Sequence, residues 1–159
     1  MAEKKHRFRS QKEEQAFDDF LRSHIDKILT CGDLSHFYMR KFSSQAHSKK
    51  DLAMWISVDH KYLEFDLTYI ENYAACEWHR KDYSELVRTL CHELTHILTL
   101  EPEHRLNIKG EKEYYFERLT EHTSRWLYEN YKDYMKTFGI DLATGQSKEL
   151  KALIKRNDK

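Results

Sequence analysis

The sequence predicts an α+β domain: an N-terminal helix, a small antiparallel β-hairpin or sheet, and two further long helices packed against each other. Three observations predict it. The apolar period runs from the 3.6 of a helix to the 2 of a strand and back again. Only four glycines and one proline occur in 159 residues, too few for the many tight turns of an all-β sandwich. Three Trp, ten Tyr and eight Phe supply large burial per residue in a chain that is 34% charged, which separates it from a disordered one. The length suits a single domain.

In residues 11–29, Phe17, Phe20, Leu21, Ile25, Ile28 and Leu29 recur at helical spacing, with Gly32 beyond them as a stop. Residues 33–51 are polar and show no period. Met54, Ile56 and Val58 then share one face of 53–58, and Leu63, Phe65, Leu67 and Tyr69 one face of 62–70, opposite Glu64, Asp66 and Thr68. This is a hairpin joined near Asp59, His60 and Lys61, one face dry and one wet. Residues 71–81 form a connection or short helix. Asp82 and Glu85 have capping-box spacing ahead of the stripe Leu86, Leu90, Leu94 and Ile97, and Pro102 is expected to end that helix. A longer helix spans about 111–138 with Phe116, Leu119, Thr123, Leu127, Asn130 and Tyr134 along one side, and Gly139 fits its C-cap. A short helix over 150–154 follows. The organisation is a basic N-terminus over 1–12, one domain over 13–145, and a basic tail or short helix over 146–159.

Formal charge is zero but unevenly spread. Lys4, Lys5, Arg7, Arg9 and Lys12 against Glu3 give the first twelve residues +4, and Lys148, Lys151, Lys155, Arg156 and Lys159 against Glu149 and Asp158 give the last twelve +3, leaving −7 between them. An acidic body is a poor footprint for nucleic acid, and the tails read as solvated ends. Cys31, Cys76 and Cys91 are odd in number and lack C-x-x-C spacing, which fits free thiols in a reducing compartment. No apolar run has the length of a signal peptide core or a membrane span, so the expectation is a cytoplasmic chain.

Ten histidines are a surplus, and two of them have a geometric reason. His92, Glu93 and His96 form H-E-x-x-H inside the third helical segment. Residues four apart on a helix lie one turn above each other, so two imidazoles converge on one ion, with the carboxylate of Glu93 beside it. A rotation of about 100° per residue also keeps both histidines off the leucine stripe. Catalytic zinc takes three protein ligands. Thr99 and Pro102 stand where a third histidine of the metzincin pattern would need Gly and His, which excludes that subclass. Antiparallel docking of the next helix brings its seventh or eighth residue to the depth of the histidines, which ranks Glu117 first, with Glu121 and Glu113 as alternative ligands or as hydrogen-bond partners of a ligating imidazole.

His92-Glu93-Leu94-Thr95-His96 followed by Glu117-Arg118-Leu119-Thr120-Glu121 resembles the gluzincin branch of zincin-like zinc metallopeptidases, in the small single-domain form of bacteria and bacteriophages. The resemblance covers about residues 50–135. It implies a zincin-like fold, one zinc ion per chain completed by Glu117, and a supporting carboxylate one turn later, where this chain has Glu121 in place of the family's Asp. It also implies that an edge strand, within 53–58 or 62–70, pairs with an extended peptide or protein substrate.

The expected activity is peptide-bond hydrolysis by zinc-activated water, with Glu93 as general base and then acid. His104, Tyr114, Tyr115, His122 and Arg125 are the candidates for stabilising the developing oxyanion. The alternative is a zinc-containing interaction module with limited catalysis, an accessory protein of bacteria or phage. An intact Glu93 counts against it, because a structural site needs no base.

Overall fold

The structure is a computed structural model describing residues 7–46, 53–81, 83–105 and 111–140, with backbone alone for 99–105 and 111–115. The elements are α1 (Gln11–Cys31), β1 (Tyr38–Gln45), β2 (Met54–Asp59), β3 (Glu64–Ile70), α2 (Glu71–Arg80), α3 (Tyr83–Arg105) and α4 (Glu111–Lys136). The described residues are thus α+β, with four helices and one small mixed sheet. Asp82, residues 146–159 and the expected helix over 150–154 lie outside the described residues.

α1 begins where Ser10 caps it: the Ser10 hydroxyl accepts from the Glu13 amide at 3.1 Å, and Glu13 in turn accepts from the Arg9 amide at 3.1 Å. Lys12 therefore belongs to the helix. Its inner face is Ala16, Phe17, Phe20, Leu21, His24, Ile25, Ile28 and Leu29, all buried. The helix stops at the expected place by a different residue. Asp33, not Gly32, takes the left-handed conformation (φ 57°), and the Leu34 amide donates back to the Leu29 carbonyl at 2.7 Å. Gly32 serves packing: a Cβ there would lie 3.1 Å from Leu127 Cδ1 of α4.

The expected hairpin forms, with Met54 opposite Tyr69, Ile56 opposite Leu67 and Val58 opposite Phe65 and a turn over 60–63, later than the expected 59–61. Phe65, Leu67 and Tyr69 are buried. Leu63 is in the turn, not the strand, at φ 56° and 40% exposed. The sheet is not antiparallel throughout, however. Residues without a legible period form β1, which pairs parallel with β3, so the order is β1-β3-β2. A register shift between Met39 and Lys41 breaks the alternation that would have revealed the strand. On the wet face Arg40 forks onto Asp66 at 3.0 and 2.5 Å.

Helix α3 touches α1, α2, α4 and β2. Leu86, Val87, Leu90, Cys91 and Leu94 are completely buried. At its N-terminal end, Phe20, Trp78 and Tyr83 form an aromatic cluster with centroids 5.3–5.5 Å apart. Pro102 does not end the helix, which continues to Arg105. A proline forfeits one rung of the hydrogen-bond ladder, and here the backbone stays helical past it.

α4 runs antiparallel to α3, since its contacts descend as α3 ascends: Tyr128 meets Arg88, and Glu117 meets His96. Its buried face is rotated from the expected one. Thr120, Ser124, Tyr128, Tyr131 and Met135 are buried, while Leu119 is 52% exposed and Asn130 is exposed. The reason is close approach. Thr120 and Ser124 are small, and their hydroxyls donate to the Phe116 and Glu121 carbonyls at 2.9 and 2.8 Å, so neither hydroxyl is left unmet. Gly139, at φ 78°, ends the run as expected, with the Ile140 amide donating to the Met135 carbonyl at 3.1 Å.

His24 and Tyr131 join α1 to α4 in the core, Nδ1 to Oη 2.5 Å. Burial pushes the His24 pKa from 6.5 down to about 3. Between these values the unfolded chain binds a proton that the folded chain refuses. Stability from this residue is therefore fully present above pH 6.5 and is lost as pH falls towards 3. His24→Gln is expected to flatten the pH slope of urea-unfolding free energies between pH 6 and 4, by up to about 1.4 kcal/mol per pH unit.

Candidate metal centre

The burial of Leu86, Leu90 and Leu94 turns His92, Glu93 and His96 toward α4, where all three are half-buried. The two imidazoles stand 5.0 Å apart between centroids, at 81°. Glu117 reaches between them: Oε1 lies 2.8 Å from His92 Nε2 and Oε2 lies 3.5 Å from His96 Nε2. One ligand atom from each of the three residues falls within 4.8 Å of the others.

Donors on a tetrahedron of about 2.1 Å radius stand about 3.4 Å apart. The two carboxylate–imidazole separations, 2.8 and 3.5 Å, fall either side of that value, and all three donors lie within 4.8 Å. Two imidazole nitrogens and a carboxylate oxygen suit zinc among the common divalent cations. The residues thus fit a single ion, which His92, His96 and Glu117 could hold.

Glu121, one turn after Glu117, takes the opposite side of His92. Its Oε2 lies 2.8 Å from Nδ1, while Nε2 donates to Glu117 Oε1 at 2.8 Å; with an ion held at Nε2, Glu121 would be placed to accept from Nδ1–H. Of the two roles the sequence left to Glu121, orienting the imidazole matches this position. Arg125 Nε stands 3.6 Å from Glu121 Oε1, behind that carboxylate.

Glu93 lies beside this cluster without joining it. Burial, with the negative charge of Glu117 added, pushes its carboxyl up to about 8. Burial also lowers His96, against the pull of Glu117 and with the push of His92. A cation held by the cluster would act on Glu93 in the opposite sense to Glu117, favouring its ionised form.

Among the residues considered for an oxyanion, Arg125 lines a cleft of about 670 Å³ that extends from His92 between α3 and α4. His122 is exposed and is not part of that lining. The side chains of His104, Tyr114 and Tyr115, and of Glu113, lie outside the described residues. The cleft also contains Arg88 and Tyr128, which sequence reasoning missed, because their pairing crosses two helices and leaves no local spacing to read.

The three cysteines are free, Cys31 and Cys76 half-buried and Cys91 buried. Among the described residues no helix is long and apolar enough to cross a membrane. No family model, no curated protein and no solved structure matches the chain.

The Glu121 contact is open to a direct test. Glu121→Gln replaces an anionic acceptor by a neutral one at an exposed position, so the fold should survive. Zinc affinity, read by competition with a chromophoric chelator, should fall about 10- to 100-fold.

Proposed function

We propose that the protein is a zinc-dependent peptide-bond hydrolase with a zincin-like arrangement of its helices. The observation that carries this reading is the convergence of donor atoms from His92, His96 and Glu117 within 4.8 Å, with Glu93 next to His92 on the same helix. Zinc bound there supplies a Lewis acid that polarises a carbonyl and acidifies water. Glu93 takes the proton that the attacking water loses and returns it to the leaving amine. Glu121 holds His92 in one tautomer and one orientation while this happens.

A peptide is the favoured substrate because of the sheet. β2 is an edge strand and packs on α3, and His60, just beyond it, donates from Nε2 to the Ile97 carbonyl at 2.9 Å. An edge strand offers unpaired backbone groups to an extended chain. The edge beside the histidine helix would lay such a chain along the site.

About one zinc per chain is expected in protein purified without chelators, and His92→Ala or His96→Ala should lose it. Glu93→Gln should keep the metal while peptide hydrolysis falls by about 10² to 10⁴. Metal-free wild-type protein, or a Glu93→Gln variant as active as wild type, overturns the proposal. Zinc-loaded protein that cleaves no member of a broad peptide library would favour an interaction module.

A further inference from the structure

The cleft between α3 and α4 reaches His92 at one end, and Arg88, Arg125, Tyr128 and the carboxylates of Glu85, Glu121 and Glu129 line it. Its charges are not equivalent. Glu121 is engaged by His92 Nδ1 at 2.8 Å and by Arg125 Nε at 3.6 Å, and Glu129 by Lys132 Nζ at 2.7 Å. Glu85 takes part in a further interaction of its own. Arg88 has no carboxylate at ion-pair distance among the described residues; its guanidinium lies over the ring of Tyr128, 4.9 Å from the centroid. The ring holds that cation in place, and the Glu129 carboxylate across the cleft feels its charge without reaching ion-pair distance.

Tyr128 adds a second, independent observation. The residue is only 4% exposed, and its Oη is a buried side-chain oxygen with no hydrogen-bond partner among the described residues. Buried hydroxyls are ordinarily satisfied, so an orphaned one in the wall of a cleft calls for a ligand atom. The Arg88 guanidinium, which has no carboxylate at ion-pair distance, acts on this hydroxyl, and the two together are a donor set for an oxyanion of carboxylate geometry.

We propose that this cleft is a carboxylate subsite, in which Arg88 and Tyr128 receive an acidic side chain or the C-terminal carboxylate of the peptide bound at the His92–His96–Glu117 cluster. That the carboxylate belongs to a peptide rests on the hydrolase reading above; the subsite itself does not. Arg88 is about one helical turn from His92, about 6 Å along the axis, a span of about two residues of extended chain. The recognised carboxylate therefore sits one or two residues from the scissile bond.

Binding to zinc-loaded Glu93→Gln protein, measured by calorimetry, reads the subsite without turnover. Three matched peptides suffice: one with an internal Glu and an amidated end, one with Gln and an amidated end, and one with Gln and a free C-terminus. At least one carboxylate peptide should bind roughly tenfold more tightly than the neutral one, and which one does so identifies the source. Arg88 is exposed, so adding Arg88→Gln should leave the fold intact and bring the ratio close to one. Tyr128→Phe should reduce the ratio while leaving the melting temperature of the free protein unchanged or higher, because the hydroxyl it removes has no partner there. Equal binding of all three peptides, or a preference that survives Arg88→Gln, overturns the proposal. Acid-selective binding without cleavage of any peptide by the wild type would sink the hydrolase reading and keep the subsite; charge-indifferent cleavage would do the reverse.

Discussion

Helix α3 has one rotational setting that hides Leu86, Leu90 and Leu94 completely, and the polar half of the molecule depends on it. A turn of one residue, about 100°, would bring a histidine or the Glu93 carboxylate into the apolar layer beneath. Ionised groups there are costly unless paired. The apolar contacts with α1, α2 and β2 therefore aim His92, Glu93 and His96 at α4, although none of those contacts touches the site. Thr120 and Ser124 complete the arrangement, because their small size lets α4 approach closely enough for Glu117 to span both imidazoles.

Such a site is assembled against its own electrostatics. Burial makes Glu93 costly to ionise, and the negative charge of Glu117 adds to that cost. Packing elsewhere holds them together: the Phe20, Trp78 and Tyr83 cluster, the leucine face of α3, and Tyr131 against His24. Local conflict maintained by a consistent surrounding fold is the usual signature of a functional centre.

Much of this was legible in the sequence wherever a regular period met an apolar face. The α1 stripe, the β2–β3 hairpin with its dry face and the turn of H-E-x-x-H toward the next helix all follow from spacing alone. Counting along an antiparallel helix pair was enough to single out Glu117. The failures have particular causes. β1 pairs with a strand 26 positions away, Tyr38 with Glu64, and carries a bulge, so neither its partner nor its alternation is visible locally. The α4 stripe was misread because large apolar residues were weighted over Thr120 and Ser124, when the helix contact selects for smallness. Gly32 was taken for a conformational stop because glycine usually is one; its neighbour Asp33 adopts the left-handed turn, and what α4 requires of Gly32 is an absent side chain.

The tie between α1 and α4, made by His24 with Tyr131 and by Gly32 with Leu127, also bears on synthesis. A ribosome delivers His92 and His96 some twenty residues ahead of Glu117, and α4 cannot be clamped to α1 until Tyr131 has followed. Before that moment the two histidines project from α3 without their carboxylate partner. The packing of α4 on α1 and the three-residue donor set therefore come together late, and until then the nascent chain carries a half-built centre.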